Sequence, residues 1–131
     1  MKTKRNVLIL TDGSEKTSKM AAGIAEALKG NKVSMKIASE FRGNDILPAE
    51  VFFLGCDKPR PDSFVYLTDL LKHINLAGRP CGVFSPGSEK AVKYLTGLVH
   101  DSEAALNPRP LFTGSGAVMK NWVKNVISGS F

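Results

Sequence analysis

Short apolar runs alternate with helix-period segments along almost the whole chain, and few folds accommodate that rhythm. Val7 to Leu10 is an unbroken apolar run of the kind that forms a strand buried on both faces. Met20, Ile24, Ala27 and Leu28 then recur at helical spacing until Gly30 ends the segment. Val33, Met35 and Ile37 alternate with Ser34 and Lys36, the pattern of a half-buried edge strand. Glu40 to Glu50 reads as a loop with little room for a full helix. Val51 to Gly55 is the most strand-like run, and the loop Cys56 to Pro61 follows it. Asp62 or Ser63 is the expected cap of a helix whose apolar face is Phe64, Leu67, Leu71 and Ile74. After a turn at Gly78 to Pro80, Cys81 to Phe84 is a fourth strand. Ser85-Pro86-Gly87 is a loop, and Ser88 caps a helix carrying Val92, Leu95 and Val99. Asp101 to Pro108 is a connection whose structure the pattern leaves open. Pro110 to Thr113 is the expected fifth strand, and Ser115 the cap of a last helix with Val118, Trp122 and Val126 on one side.

Strands joined through helices must run parallel, with helices on both faces of the sheet. The expected fold class is therefore α/β, with residues 1–131 as one domain and the helix between strands two and three nearly absent. Five strands wound in this way commonly take the order 2-1-3-4-5, with ligands outside the carboxyl ends of the strands beside the switch between strands one and three. The loops that converge there are Thr11 to Thr17, Cys56 to Pro61 and Ser85 to Ser88.

Composition narrows the function. Of 131 residues, 43% are hydrophobic and 23% charged, a globular balance with enough apolar surface for one core. No stretch approaches the roughly 20 apolar residues that span a bilayer. The basic start is followed only by Val7 to Leu10, short of the about 7 to 15 apolar residues of a signal peptide. A cytoplasmic protein is expected. Cys56 and Cys81 read as small reduced core residues, and with His73 and His100 at helix surfaces or ends they make no metal signature. The net charge of +6 is spread out: residues 1–60 carry eleven Lys/Arg against seven Asp/Glu, and residues 61–131 carry seven against five. No basic block is interleaved with aromatics, so nucleic acid is not an expected partner, whereas an acidic protein or an anionic ligand is.

The loop after the first strand carries the chemistry. A phosphate at a helix N-terminus meets free backbone N–H groups and the positive end of the helix dipole. The hydroxyls of Ser14, Thr17 and Ser18 and the charge of Lys16 suit the same role; alternatively, those hydroxyls merely cap the helix. Asp12-Gly13-Ser14-Glu15-Lys16-Thr17 aligns without gaps to the flavodoxin loop [S/T]-x-T-G-x-T, with Ser14 and Thr17 on the two phosphate-binding hydroxyl positions. Leu54-Gly55-Cys56 resembles the end of the third flavodoxin strand. Over nearly its whole length the chain resembles a short-chain flavodoxin. That resemblance implies a flavodoxin-like three-layer sandwich that binds FMN non-covalently and transfers electrons to partner proteins. It implies phosphate contacts from Asp12, Gly13, Ser14, Glu15, Lys16 and Thr17, and ring-flanking positions at Cys56, Asp57 and Lys58 and at Ser85, Pro86, Gly87 and Ser88. Flavodoxins are typically acidic; a basic chain in the same role implies a redox partner with an acidic face.

The chain departs from the flavodoxin pattern in the loop and around the ring. Glu15 stands where the family has glycine, and Asp12 where it has Ser or Thr. Each carboxylate would repel a phosphate dianion by roughly 1 kcal/mol or more near the surface. A positive φ at Glu15 would strain the loop; an outward side chain screened by Lys16 or Lys19 would leave it open. The ring-flanking loops contain no aromatic, which forgoes about 1 to 3 kcal/mol of stacking. Phe84 reads as core, and Phe41 and Phe64 as packing residues beside the region. Lys58 and Arg60 are available to lie over a ring. These departures leave a second expectation, a flavodoxin-like module that binds another anion or a protein and no flavin. A response-regulator receiver shares the strand order, and Asp12, Asp57 and Ser85 imitate three of its positions. Thr113-Gly114 occupies the place of its lysine, however, and Asp12 lacks an acidic neighbour. Neither a G-x-S-x-G elbow nor a G-x-G-x-x-G fingerprint is present.

Overall fold

The computed structural model describes residues 5–112 and 116–129. Its strands are β1 (Asn6–Thr11), β2 (Lys32–Ile37), β3 (Val51–Gly55), β4 (Pro80–Phe84) and β5 (Ala105–Leu106). The helices are α1 (Glu15–Ala27), α2 (Gly43–Ile46), α3 (Val65–His73), α4 (Glu89–Ser102) and α5 (Gly116–Ser128), with a 3₁₀ turn at Asp62–Phe64 leading into α3. All strand pairs are parallel and the order is β2-β1-β3-β4-β5, as expected from the alternation.

The period-two pattern of each strand divides the core into two layers. Val7, Ile9, Val51, Phe53 and Phe84 face α1 and α5, where Met20, Ile24, Trp122 and Val126 pack. Leu8, Leu10, Phe52, Leu54, Cys81 and Val83 face the other side, against Ile46 of α2, Leu67 and Leu71 of α3 and Leu95 and Val99 of α4. Registers Ile9↔Phe53 and Leu10↔Leu54 keep both layers continuous across the sheet centre. β2, at the edge, is largely exposed.

Several local expectations are corrected. The fifth strand is paired at Ala105–Leu106, within the segment read as a connection, and the described part of the expected Pro110 to Thr113 strand, up to residue 112, makes only a bridge of Leu111 with Phe84. Ala105 and Asn107 donate to Arg79 and Cys81 of the β4 side, but the next N–H in that phase, Arg109, goes to the Asn107 side chain, and Leu111 donates to Val83 in its place, so the chain leaves the sheet between the two contacts. Buried Asn107 holds that detour, accepting the Arg109 N–H (2.8 Å) and donating to Asn125 Oδ1 (2.5 Å). Neither Asp62 nor Ser63 caps the third helix through its side chain; the 3₁₀ turn intervenes. On α5, Val118 faces outward and Met119 takes its place in the core with Trp122, Val123 and Val126. Ser115, Thr113 and Gly114 lie outside the described residues. Residues 43–46 form one helical turn within the expected loop.

Gly55 marks where the sheet end is tightest. A Cβ there would sit 2.2 Å from the Phe84 ring, so the ring of β4 occupies the space a side chain on β3 would need. Gly55→Ala should therefore cost about 1 to 3 kcal/mol through displacement of Phe84, measured as a lowered urea midpoint with the m-value unchanged.

Candidate functional site

The β1–α1 loop lies at the switch point, because β1 pairs with β2 on one side and β3 on the other. Gly13 turns the chain with φ +83°, a conformation glycine adopts without penalty. Ser14 then takes the N-cap position in an extended conformation, but its side chain does not cap α1. Its hydroxyl lies 2.8 Å from Asp12 Oδ1 and 2.8 Å from Thr17 Oγ1. The N–H groups of Glu15, Lys16 and Thr17 have no acceptor within the helix, as in any first turn. After β4, by contrast, Ser88 does cap α4, accepting the Ala91 N–H at 3.1 Å.

Asp12 organises the cluster. Its Oδ1 accepts the Ser14 N–H (3.0 Å) and the Ser14 hydroxyl, and its Oδ2 accepts the Asp57 N–H (2.8 Å) from the loop after β3. Its backbone carbonyl accepts the Ser63 hydroxyl (3.3 Å). Ser63, expected as a helix cap, instead ties the start of the third helix to the first loop. No local sequence signal marks that contact, which joins residues 51 positions apart.

Glu15 opens α1 without a positive φ; among the described residues only Arg60 (φ 53°) and Glu103 (φ 63°) are non-glycine residues in that region. Its side chain is exposed and 3.8 Å from Lys19 Nζ, so the outward, screened arrangement is the one the chain adopts. Lys16 is exposed and Thr17 fully buried.

In the second loop Cys56 is buried, Asp57 partly so, and Lys58 exposed. Burial, and then the nearby carboxylates of Asp12 and Asp57, push the Cys56 thiol up to about 12. Cys81, also buried, is pushed up to about 12 by burial alone. Both are free thiols, as expected. The third loop sits one strand over, since Gly55 and Phe84 are paired. Ser85 is buried, its carbonyl accepting the Gly87 N–H (2.8 Å) and its hydroxyl the Ser88 N–H (3.4 Å); Pro86 is half-buried and Gly87 exposed with φ +103°. Asp12, Ser14, Thr17 and Asp57 are thus joined in one hydrogen-bonded group, while Ser85, Pro86, Gly87 and Ser88 form a separate turn beside it.

Phe41, Phe64 and Phe84 are all core residues. Phe41 packs on Tyr66, with ring centroids 5.3 Å apart, and Phe64 on Tyr94, at 6.2 Å. A surface hollow of about 630 Å³ between α3 and α4 reaches the second loop at Arg60 and Pro61. Another, of about 690 Å³, lies between the Asn107–Leu111 segment and α5, away from the switch point. Among the described residues no group of His, Cys, Asp or Glu is placed to hold a metal ion, and no helix is long and apolar enough to cross a membrane.

The residues present fit a flavin phosphate in one respect and oppose it in another. The uncapped N-terminus of α1 leaves donors free, whereas the Asp12 carboxylate already takes the Ser14 N–H and hydroxyl.

No protein-family model and no curated protein matches the sequence. Solved structures do. A Streptococcus pneumoniae flavodoxin superposes with TM-score 0.77 at 15% identity, covering 96% of this chain and 99% of its own. A short-chain flavodoxin associated with a bacterial microcompartment superposes with TM-score 0.78 at 13% identity, covering 97% and 96%. The two-electron reduced flavodoxin of Megasphaera elsdenii does so with TM-score 0.73 at 20% identity, covering 93% and 98%. The fold is flavodoxin-like over nearly the whole chain.

Cys56 should behave as an inert thiol. A thiol held protonated in the folded state adds stability that is complete below its ordinary pKa of 9.0 and is lost as pH rises toward 12. Iodoacetamide at pH 8 should modify neither cysteine in the native protein and both in urea, as read by intact mass; rapid native labelling would contradict the burial.

Proposed function

We propose that this flavodoxin-like chain binds FMN at the switch-point loops and carries electrons between proteins. The observation that carries the reading is the N-terminus of α1: it opens at the switch point, and its N-cap serine turns its hydroxyl away from the capping position. The N–H groups of Glu15, Lys16 and Thr17, with the positive end of the helix dipole and the charge of Lys16, would hold the phosphate. The loops 56–58 and 85–88 would flank the ring, with Lys58 and Arg60 over or beside it. Bound flavin would supply the redox chemistry, and the chain would supply its orientation and electrostatic environment. The carboxylates of Asp12 and Asp57 near the second loop would disfavour additional negative charge on a ring placed there. The excess of basic residues suits a redox partner with an acidic face.

A second reading is favoured by the Asp12 hydrogen bonds and by the absence of aromatics from residues 56–61 and 85–88. The same fold would then serve as a flavin-free module that recognises another anion or a protein.

Titration with FMN, followed by visible absorption and fluorescence quenching, separates the two. Saturable quenching with a dissociation constant of about 1 to 100 μM is expected for the carrier. No spectral change at millimolar FMN would leave the flavin-free module.

A further inference from the structure

The Asp12 carboxylate has no part in holding the phosphate in the reading above, yet it is the most connected side chain of the first loop. Oδ1 takes both the N–H and the hydroxyl of Ser14, two of the donors an anion at this helix end would use. Oδ2 takes the Asp57 N–H from a different loop, so the carboxylate cannot swing aside without leaving that donor unpaired. None of the ion pairs among the described residues includes Asp12, and the hydrogen bonds to its carboxylate come from two backbone N–H groups and a hydroxyl. The charge is not required by this kind of turn, because the α4 N-terminus is closed by the neutral Ser88. Nor is Glu15 a competitor for the site, since it points to solvent beside Lys19.

We infer that Asp12 is a specificity-determining residue: its carboxylate acts as a built-in anion on the donors of the first loop and removes most of the advantage a phosphorylated flavin has over a dephosphorylated one. The inference rests on the flavin-binding reading for its ligand, and on the hydrogen bonds of Asp12 for its mechanism. A phosphate oxygen and a carboxylate oxygen need the same Ser14 donors, and two anions on one donor set repel each other. The phosphate is left with the N–H groups of Glu15, Lys16 and Thr17 and faces a fixed negative charge beside them. A flavin that ends in a neutral hydroxyl meets no such repulsion.

The test compares FMN, riboflavin and inorganic phosphate on the wild-type chain, on Asp12→Asn and on Asp12→Ser. Asp12→Asn keeps the side-chain shape without the charge; Asp12→Ser also clears the space. Circular dichroism establishes that each variant is folded, and Asp12→Asn serves alone if the serine variant is not. In the wild type, FMN and riboflavin should bind within about tenfold of each other. Either substitution should tighten FMN by about tenfold or more and leave riboflavin within threefold. In amide spectra, phosphate should shift the N–H signals of residues 14–17 at about tenfold lower concentration in the variants. A wild-type preference for FMN above about a hundredfold, or a preference unchanged by both substitutions, overturns the inference. If neither flavin binds any of the proteins, the flavin reading fails, and the phosphate arm decides alone. A tighter phosphate site in the variants supports Asp12 as the internal anion, and equal affinities in wild type and variants overturn it.

Discussion

The parallel pairing of β1 with β2 on one edge and β3 on the other is the constraint on which the rest depends. Because β2 and β3 leave β1 in opposite directions, the loop after β1 has no neighbouring crossover above it. The loops after β3 and β4 come up beside it, and a concave polar region forms at the carboxyl ends of the strands. The two core layers follow from the same pairing. The in-register rows Val7↔Val51 and Ile9↔Phe53 serve α1 and α5, and Leu8↔Phe52 and Leu10↔Leu54 serve α3 and α4. A one-residue slip between β1 and β3 would send every one of those side chains to the wrong layer.

The polar end of this framework is organised by hydrogen bonds rather than by apolar packing. Asp12 binds across the cleft to Asp57 and accepts from Ser63 through its carbonyl, so one residue links the first loop to the two segments that follow β3. The same carboxylate, with that of Asp57, helps keep the Cys56 thiol protonated. A single acidic side chain therefore shapes the loop and adds to the burial that holds the thiol protonated. The surroundings have the opposite balance, since the chain as a whole carries a net charge of +6.

Much of this architecture was legible in the residues. The strand order came from the alternation of apolar runs with helical periods, and the buried character of Phe84, Cys56 and Cys81 from their places in strand-like runs. Three local readings failed for identifiable reasons. The apolar run at Pro110 to Thr113 reads as the fifth strand, but Ala105–Leu106 pairs instead, because the Asn107 side chain takes the Arg109 N–H that would continue the ladder. Val118 has the hydropathy of a core residue, but α5 presents Met119 to the sheet. Ser63 has the chemistry of a cap, but the 3₁₀ turn removes the geometry a cap requires.

What the sequence by itself determined is the set of properties that repeat over a few residues. These are the periods of two and of 3.6, the glycine that permits the turn after β1, and the hydroxyls placed at the start of α1. They suffice for a doubly wound parallel sheet and for which loops meet at the carboxyl ends of its strands, because backbone geometry and burial act locally and are written in local patterns. Only the tertiary structure decided which donors those hydroxyls face, which way Glu15 points, and that Asp12 reaches a residue 45 positions away. Hydrogen-bond partners across a cleft are chosen by the packing of whole elements against one another, and no short stretch of sequence carries that information.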